Sequence, residues 1–506
     1  MASTVPERFD DLWMVLYSMV RNEYELKVTI RKLPACPLLV LLFPARVFTQ
    51  TAPVSPERLW HAPAEQQIKD EAKHFRESKF SIEPGTAYSL AELIDLAEAH
   101  NPETRVAWEN ARAQAAALGV ARSELYPTIA AVALSQTSRA EILIESRFFR
   151  QTVQTFEGAL ELNYLILDFG GRSGRIAAMG AELLATNFAF NDTHRKIIYQ
   201  VAEAYYRLLN AAGQQDAARA SLINAQTVQQ AAEDRLKNGL ATLPDVLEAR
   251  SATAQAEYDL QAVIGAQEIA QGDLANAMGA VPTGAIRVQP INEISIPESI
   301  SDTVAEATDR ALQQRPDLMQ QVAEIRSANA RVKEARAAFY PTLNFSVRPS
   351  PQSLYGIQQT YPSAHTADLT GTLNLSVNWT VFDGGARRNN LAQAEAHVRA
   401  AEAQVNATRD QIADETWAAY ANLKTALRQR QAAVALVETA SQSYTAALES
   451  YNYGVRSLLD VTAAQRTLAQ ARSADVLART QVLTALADLA FRTGDWIQPG
   501  ARKSRP

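Results

Sequence analysis

Few side chains in this sequence stand where they could do covalent chemistry. Asp168-Phe169-Gly170 spells the triplet with which kinases hold a metal ion, but no His-Arg-Asp catalytic loop precedes it and no glycine-rich phosphate loop exists. The matching residues of the second half read Phe382-Asp383-Gly384, so the triplet carries no kinase chemistry. The six histidines (61, 74, 100, 194, 365 and 397) include no pair at the i, i+3 or i+4 spacing by which one helix face holds zinc. A hydrolase of the HExxH kind is excluded, and a histidine-based triad has no support. The single cysteine, Cys36, excludes an internal disulfide framework and a multi-cysteine metal site. No carboxylate pair and no nucleophile with a neighbouring base stands out. The chain reads as no enzyme, with no cofactor and no metal.

Composition narrows the partners. A hydrophobic fraction of 47% over 506 residues argues against wholesale disorder. The net charge of −6, without basic runs past the N-terminus, argues against nucleic acid. Near the N-terminus, Arg31-Lys32 precede "LPACPLLVLLFPARVF", a short apolar stretch broken by Pro34, Pro37 and Pro44. About 20 apolar residues are needed to span a bilayer, so this leader (1–52) reads as a secretory signal peptide. Residues 1–18, ahead of Met19, do not fit a signal and fit a misplaced start. "LPAC" suggests a lipoprotein signal, yet Cys36 precedes the apolar stretch instead of following it.

The elements that must position any function are written twice. In "TGTLNLSVNWTVFDGG" (370–385), apolar Leu373, Leu375, Val377, Trp379 and Val381 alternate with polar Asn374, Ser376, Asn378 and Thr380. This period of two marks a strand with one apolar and one wet face. Five landmarks recur in the same order at a spacing constant to within one residue. "HNPE" matches "QRPD", "ELYPTIA" matches "AFYPTLN", and "LNYLILDFGGR" matches "VNWTVFDGGAR". "RLKNGLATLPDVLEA" matches "SYNYGVRSLLDVTAA", and "LANAMG" matches "LAFRTG". The resulting order is an N-terminal extension (53–87), a first repeat (88–280), a proline-bearing linker (281–302), a second repeat (303–495) and a tail (496–506).

Each repeat has one internal grammar. A helical stretch ends at Tyr-Pro, where Pro127 or Pro341 pushes the residue before it out of the helical region. A β-hairpin follows (128–167, 342–382), with strands expected at 128–138 and 153–167, and at 342–349 and 371–382. Asp168 with Gly170-Gly171, or Asp383 with Gly384-Gly385, makes the turn into a proline-free helix (171–238, 386–453). Gly239 or Gly454 stops that helix, and Asp245 or Asp460 stands where an N-cap would start the next (245–279, 460–494). Val461, Ala464, Leu468 and Ala471 have the spacing of a packed seam.

Lengths decide the architecture. The proline-free helices are about 100 Å long, and two flanking helices end to end match them. The strands are long enough to cross a bilayer, for which about 9–11 residues suffice. Strands in lipid need a closed barrel of about eight or more, and one chain supplies four, so several chains must share one.

Tyr-Pro before the hairpins, "DFGGR" and "FDGGAR" after them, and the "NGLATLPDVLEA" turn resemble the TolC-like outer-membrane efflux protein family over residues 88–495. The resemblance implies a mixed α and β membrane protein, a homotrimer with a shared twelve-stranded β-barrel in outer-membrane lipid. Its long antiparallel helices would form an α-barrel reaching into the periplasm of a Gram-negative bacterium. It implies a passive duct working with a periplasmic adaptor and an inner-membrane pump, of the resistance-nodulation-division type, for small molecules such as drugs and metabolites. The alternatives are the outer-membrane component of type I protein secretion and, from the residues alone, a non-channel helical scaffold.

The resemblance also implies site residues. Arg235, Asn238, Gly239, Leu240, Thr242, Asp245 and Val246 match the first adaptor-docking tip; Gly454, Val455, Ser457, Leu458, Asp460 and Val461 match the second. Tyr451, Arg456 and Asp460 match residues that tie the pore shut and line its acidic constriction. One turn later, where some relatives carry a second acidic residue, this chain has Ala463.

Overall fold

The computed structural model describes residues 65–74, 87–144, 146–280, 286–291, 294–297, 299–300, 303–358 and 363–495. The leader expected at 1–52 and the tail at 496–506 lie outside them, as does part of the linker. Helix α1 (Glu65–His74) belongs to a separate unit, an exposed helix with Lys73 paired to Asp70 at 2.8 Å. The rest of the described chain forms the second unit.

In that unit β1 (Ala87–Tyr88) leads into α2 (Leu90–His100) and α3 (Pro102–Ser123). Ser89 caps α2, and Glu92 bonds back to it. Pro102, which has no N–H to donate, separates the two helices, and Asn101 caps the second by accepting from the Glu103 amide at 2.8 Å. The first hairpin follows as β2 (Thr128–Ile144) and β3 (Arg147–Leu167), then α4 (Gly171–Lys237) and α5 (Leu243–Ala277). The linker carries β4 (Arg287–Val288), and the second repeat runs α6 (Val304–Gln314), α7 (Pro316–Ala337), β5 (Thr342–Gln358), β6 (Ala364–Asn378), α8 (Ala386–Asn452) and α9 (Leu458–Thr493). Helices α4 and α8 have 67 residues each, about 100 Å at about 1.5 Å per residue.

The strands differ from expectation at both ends. They reach farther from the helices, to Ile144 and Gln358, and β6 stops at Asn378 instead of 382. Pro341 fixes that stop. Strand β5 starts only at Thr342, whose partner is Asn378, so nothing remains for Trp379 to pair with. Trp379 instead donates its indole N–H to the Phe339 carbonyl at 3.1 Å. The starts of α5 and α9 also differ. Thr242 and Ser457 are the N-caps, and Asp245 and Asp460 are the third residues of capping boxes. A hydroxyl followed three residues later by a carboxylate satisfies two orphan amides at once, which a lone aspartate cap cannot do.

Helix α4 is the spine, in contact with α2, α3, α5, α7 and α9; α8 is flanked by α6, α7 and α9. Midway along α4, Ile197, Val201, Tyr205 and Leu208 bury against Leu93, Leu274, Met278 and Ile286. The short β1–β4 ladder holds Tyr88 and Val288 against this cluster. Here the first and last landmarks of each repeat meet. A side chain on Gly279 would lie 2.7 Å from the Pro102 ring, and one on Gly494 would lie 3.3 Å from Gln314.

The same level carries a buried ion network. Arg195, 2% exposed, bonds Asp192 and donates to the Phe491 carbonyl at 2.7 Å. It lies 3.8 Å from Asp317, which is bonded twice by Arg315, itself 4% exposed. Arg315 also reaches Glu415 at 2.7 Å, and Arg492 pairs with Glu415 at 2.9 Å. Residues of α4, α7, α8 and α9, together with the α6–α7 joint, are thereby tied across the two repeats. Burial disfavours charge on Asp317, but Arg315 and Arg195 outweigh it and hold the carboxyl below its usual range. Burial is likewise outweighed at Glu415 by Arg315, Gln411 and Arg492. A depressed carboxyl stabilises fully above its unfolded value near about 4, and that stability is lost as pH falls through the folded value.

Two outcomes are expected from heat-induced loss of helicity. The midpoint should fall as pH drops below about 4. Asp317→Asn should lower it at neutral pH, by about 2 kcal/mol in stability because Asp192 and Glu415 still serve the two arginines. The variant should also show a smaller acid-dependent loss. An unchanged neutral midpoint would mean the network contributes nothing net.

Candidate functional site

Three places concentrate the residues singled out by the sequence: the sheet, the turns that leave it, and the opposite tips of the long helices. The sheet is a single antiparallel layer in the order β2-β3-β5-β6. Its central β3–β5 pairing joins the two repeats, with a bulge between Leu165 and Leu167. Leu373, Leu375 and Val377 lie on one face at 69%, 63% and 68% exposure, opposite Val347, Phe345 and Leu343. The other face carries Asn374, Ser376 and a polar cluster in which Arg348 and Ser350 both reach Glu157, at 2.8 and 2.7 Å. An exposed apolar face with polar groups behind it is the pattern of a strand between lipid and an aqueous lumen. Strands β2 and β6 are left as open edges, which hydrocarbon does not tolerate, so each must pair with another chain.

The strand-to-helix turns are alike in both repeats. The Asp168 carboxylate accepts from the Arg172 amide at 2.5 Å, and the Asp383 carboxylate from the Arg387 amide at 3.1 Å. Each thereby caps the long helix from two residues before its N-cap, because Gly170 and Gly385 occupy the N-cap in left-handed conformation and bring no side chain. Arg172 and Arg387 fold back onto the same carboxylates, at 3.4 and 2.7 Å. Where the second repeat has Gly384, the first has Phe169 at φ 51°, and its ring stacks on Tyr340 at 5.3 Å. That stacking offsets part of the strain of a non-glycine residue in this region. Pro127 and Pro341 stand where the preceding helices give way to β2 and β5.

At the far end the two helical turns form one unit. Gly239 (φ 69°) and Gly454 (φ 80°) each close a helix with the paired backbone bonds that only a left-handed residue permits. Leu240 donates to the Arg235 carbonyl at 2.8 Å and Val455 to the Ser450 carbonyl at 2.9 Å. Beneath them one apolar cluster draws Val228 and Val246 from the first turn, and Tyr444, Tyr451, Leu458, Val461 and Leu468 from the second. This corrects part of the expected docking set: Val246, Leu458 and Val461 are core residues, because the helix turns their positions, the first and fourth after the cap, toward the shared cluster. Thr242, Asp245, Ser457 and Asp460 spend their side chains on the capping boxes.

Arg235 is partly buried and engaged within the chain. Its guanidinium donates to the Tyr451 carbonyl at 2.6 Å and the Asn452 carbonyl at 3.0 Å, and lies 4.7 Å over the Tyr451 ring. It reaches back to the Leu240 carbonyl at 3.4 Å. A cation here neutralises the carbonyl end of α8 and clasps the two turns together. The exposed tip consists instead of Asn238, Gly239, Leu240, Gly454, Val455 and Arg456. Leu243, Tyr453 and Leu459, which the sequence did not single out, also stand exposed; the only adjacent signal was Tyr453 beside Gly454. Of the three residues matched to a gate, Tyr451 is buried under Arg235, while Arg456 and Asp460 are exposed. The Ser457 hydroxyl and amide, with Arg456 nearby, hold the Asp460 carboxyl below its usual range. Among the described residues no cluster of side chains could hold a metal ion, and no helix is long and apolar enough to cross a membrane.

Comparison with known proteins agrees with this geometry. The model of the outer membrane efflux protein family matches residues 93–280 and 307–495, one segment per repeat. Protein CyaE of Bordetella pertussis is 29% identical over 404 residues, covering 79% of this chain and 83% of that protein. Outer membrane protein OprJ of Pseudomonas aeruginosa is 25% identical over 412 residues, covering 80% and 84%. A crystal structure of a membrane protein from Pseudomonas aeruginosa superposes with a TM-score of 0.71 at 24% identity, covering 80% of this chain and 93% of that one. The chain belongs to the outer membrane efflux protein family: it is an outer-membrane channel whose four strands are its share of a trimeric barrel and whose long helices continue that barrel as an α-helical duct.

Proposed function

We propose that the channel passively conducts small molecules handed to it by an inner-membrane pump of the resistance-nodulation-division type. A periplasmic adaptor would dock at the exposed tips. The observation that carries this reading is the pair of glycine turns held as one unit, with Leu240, Tyr453 and Val455 exposed on rigid helix ends. Such loops on a fixed scaffold suit recognition, and small or apolar surface there lets a partner's hairpin approach closely.

The same tips serve as the gate. Around a threefold axis one Asp460 becomes a ring of three carboxylates, which attracts cations and repels anions. Ala463 leaves no second acidic ring one turn further on. Arg235 holds α8 to the first turn from within the chain, and in this reading exposed Arg456 would reach across to a neighbouring chain. Opening then means moving the clasped pair of turns together.

Conductance, gating and docking can each be tested. In planar lipid bilayers the purified protein should show discrete, cation-preferring conductance steps. Asp460→Asn should weaken that preference while keeping the steps, and in the parent channel the preference should persist through about pH 4, the ordinary carboxylate value, and be lost only at lower pH. Steps of unchanged selectivity in the variant would remove Asp460 from the constriction. Arg235→Ala should raise the open fraction several-fold and speed amide exchange at residues 450–457; unchanged exchange would show the clasp to be unimportant. Leu240→Asp with Val455→Asp should keep the conductance and abolish export in cells, and normal export would contradict docking at the tips.

A further inference from the structure

Where the helices meet the sheet, charged side chains are sorted by face. A recess on the lumenal side is lined by Thr342 and Asn378 of the polar sheet face and by Glu124, Arg331, Ala338 and Asn390 of the helices and their ends. Cations there are matched: Arg175 pairs with Glu124 and Glu334 at 2.8 Å, and Arg331 pairs with Glu182. Residues two apart on a helix stand about 160° apart around its axis. Arg122 is two residues from Glu124, Lys333 two from Arg331, Arg336 two from Ala338 and Arg388 two from Asn390. Four exposed cations therefore lie on the faces turned away from the lumen. Arg122 and Arg336 hold the same position in the two repeats, each four residues before its Tyr-Pro. Arg336 pairs with Glu395 at 3.2 Å, and Glu395 is the only carboxylate in residues 386–399. Among the described residues no carboxylate pairs with Arg122, Lys333 or Arg388.

These cations sit just below a belt of exposed aromatic rings. Tyr126, Phe169, Tyr340, Trp379 and Phe382 all stand in the links between helices and strands. Aromatic side chains collect where hydrocarbon gives way to water, so the belt marks the periplasmic edge of the membrane. Arg388 is in the first turn of α8, Arg122 and Arg336 are in the last turns of α3 and α7, and Lys333 just precedes that turn. All four thus lie within about 10 Å of the belt. The headgroup layer is about 5–8 Å deep on each side of a bilayer, and the flexible stems of lysine and arginine carry their charge over the remainder.

We infer that this collar binds the phosphates of anionic phospholipids in the periplasmic leaflet. The inference needs no adaptor or pump, but it does rest on the trimer. Where β6 of one chain pairs with β2 of the next, α8 follows β6 and α3 precedes β2, so Arg388 comes beside the next chain's Arg122. Two guanidiniums then flank each joint and share one phosphate, the anion that their paired N–H groups fit best. Carboxylates do not compete for them. Glu124 is spent on Arg175, and Glu109 lies about 20 Å below Arg122 along α3. Free phosphate would meet the same guanidiniums, but a phospholipid also lays its acyl chains against the aromatic belt.

The test is native mass spectrometry of the purified full-length protein, which reads the number of chains and the bound lipid in one spectrum. Dioleoyl phosphatidylglycerol should bind the parent more tightly than dioleoyl phosphatidylcholine. Arg122→Gln with Arg388→Gln should weaken phosphatidylglycerol binding about tenfold and leave phosphatidylcholine binding unchanged. Arg399→Gln with Arg409→Gln removes the same charge about 20 Å or more down α8 and should change neither. Excess inorganic phosphate should not displace the lipid. Should the Arg122 and Arg388 double variant assemble poorly, Arg388→Gln alone should still lose several-fold in phosphatidylglycerol affinity. Trimers that bind phosphatidylglycerol equally with and without these arginines would overturn the collar and leave the channel standing. Displacement by inorganic phosphate would also overturn it, making the arginines a site for the free ion. A parent that shows only single chains would remove the trimer and the shared site together.

Discussion

Two unsatisfied sheet edges govern this molecule. Backbone N–H and C=O groups left bare in hydrocarbon are too costly to persist, so β2 and β6 must find partners, and one chain offers only four strands. Closure by copies of the same chain follows, and with it the rest of the architecture. The helices leave the sheet through two equivalent turns, in which Asp168 caps one helix and Asp383 the other. A sheet curved into one third of a barrel therefore continues as one third of a helical tube.

A tube about 100 Å long built from slender helices needs cross-ties, and they occur where sequence-distant landmarks converge. Midway, the arginine–carboxylate network joins α4, α7, α8 and α9, and each repeat's terminal glycine admits the other helices' joint at close range. At the tip, a single guanidinium caps the carbonyl end of α8 and couples both turns. The shaft is cross-tied midway, and one clasp holds the tip. The two turns are held as one unit, since the apolar cluster beneath them is shared.

Much of this was legible in the sequence because the chain states it twice. Tyr-Pro, Asp-Gly-Gly and the tip glycines are local signals whose meaning depends on neighbours within a few residues. The strand period separated the face bearing Leu373, Leu375 and Val377 from the polar one without further information. What was not legible depends on distant partners. Arg235 resembled a surface docking residue because nothing nearby reveals that Tyr451 lies under it. Val246 and Val461 fell inside the tip motif, yet the helix rotates them into the core, and the capping boxes at Thr242 and Ser457 shifted both helix starts. The overreach of β6 to residue 382 has the same origin: alternation continues in the sequence after the partner strand has run out at Thr342.

The most direct test is the electron-microscopy density of the purified protein in a lipid disc. Three chains in one closed barrel, with β6 of each chain hydrogen-bonded to β2 of the next and the helices continuing as a single tube, is the result expected. A monomer with bare sheet edges, or an assembly in which β2 and β6 remain unpaired between chains, would contradict the account at its base.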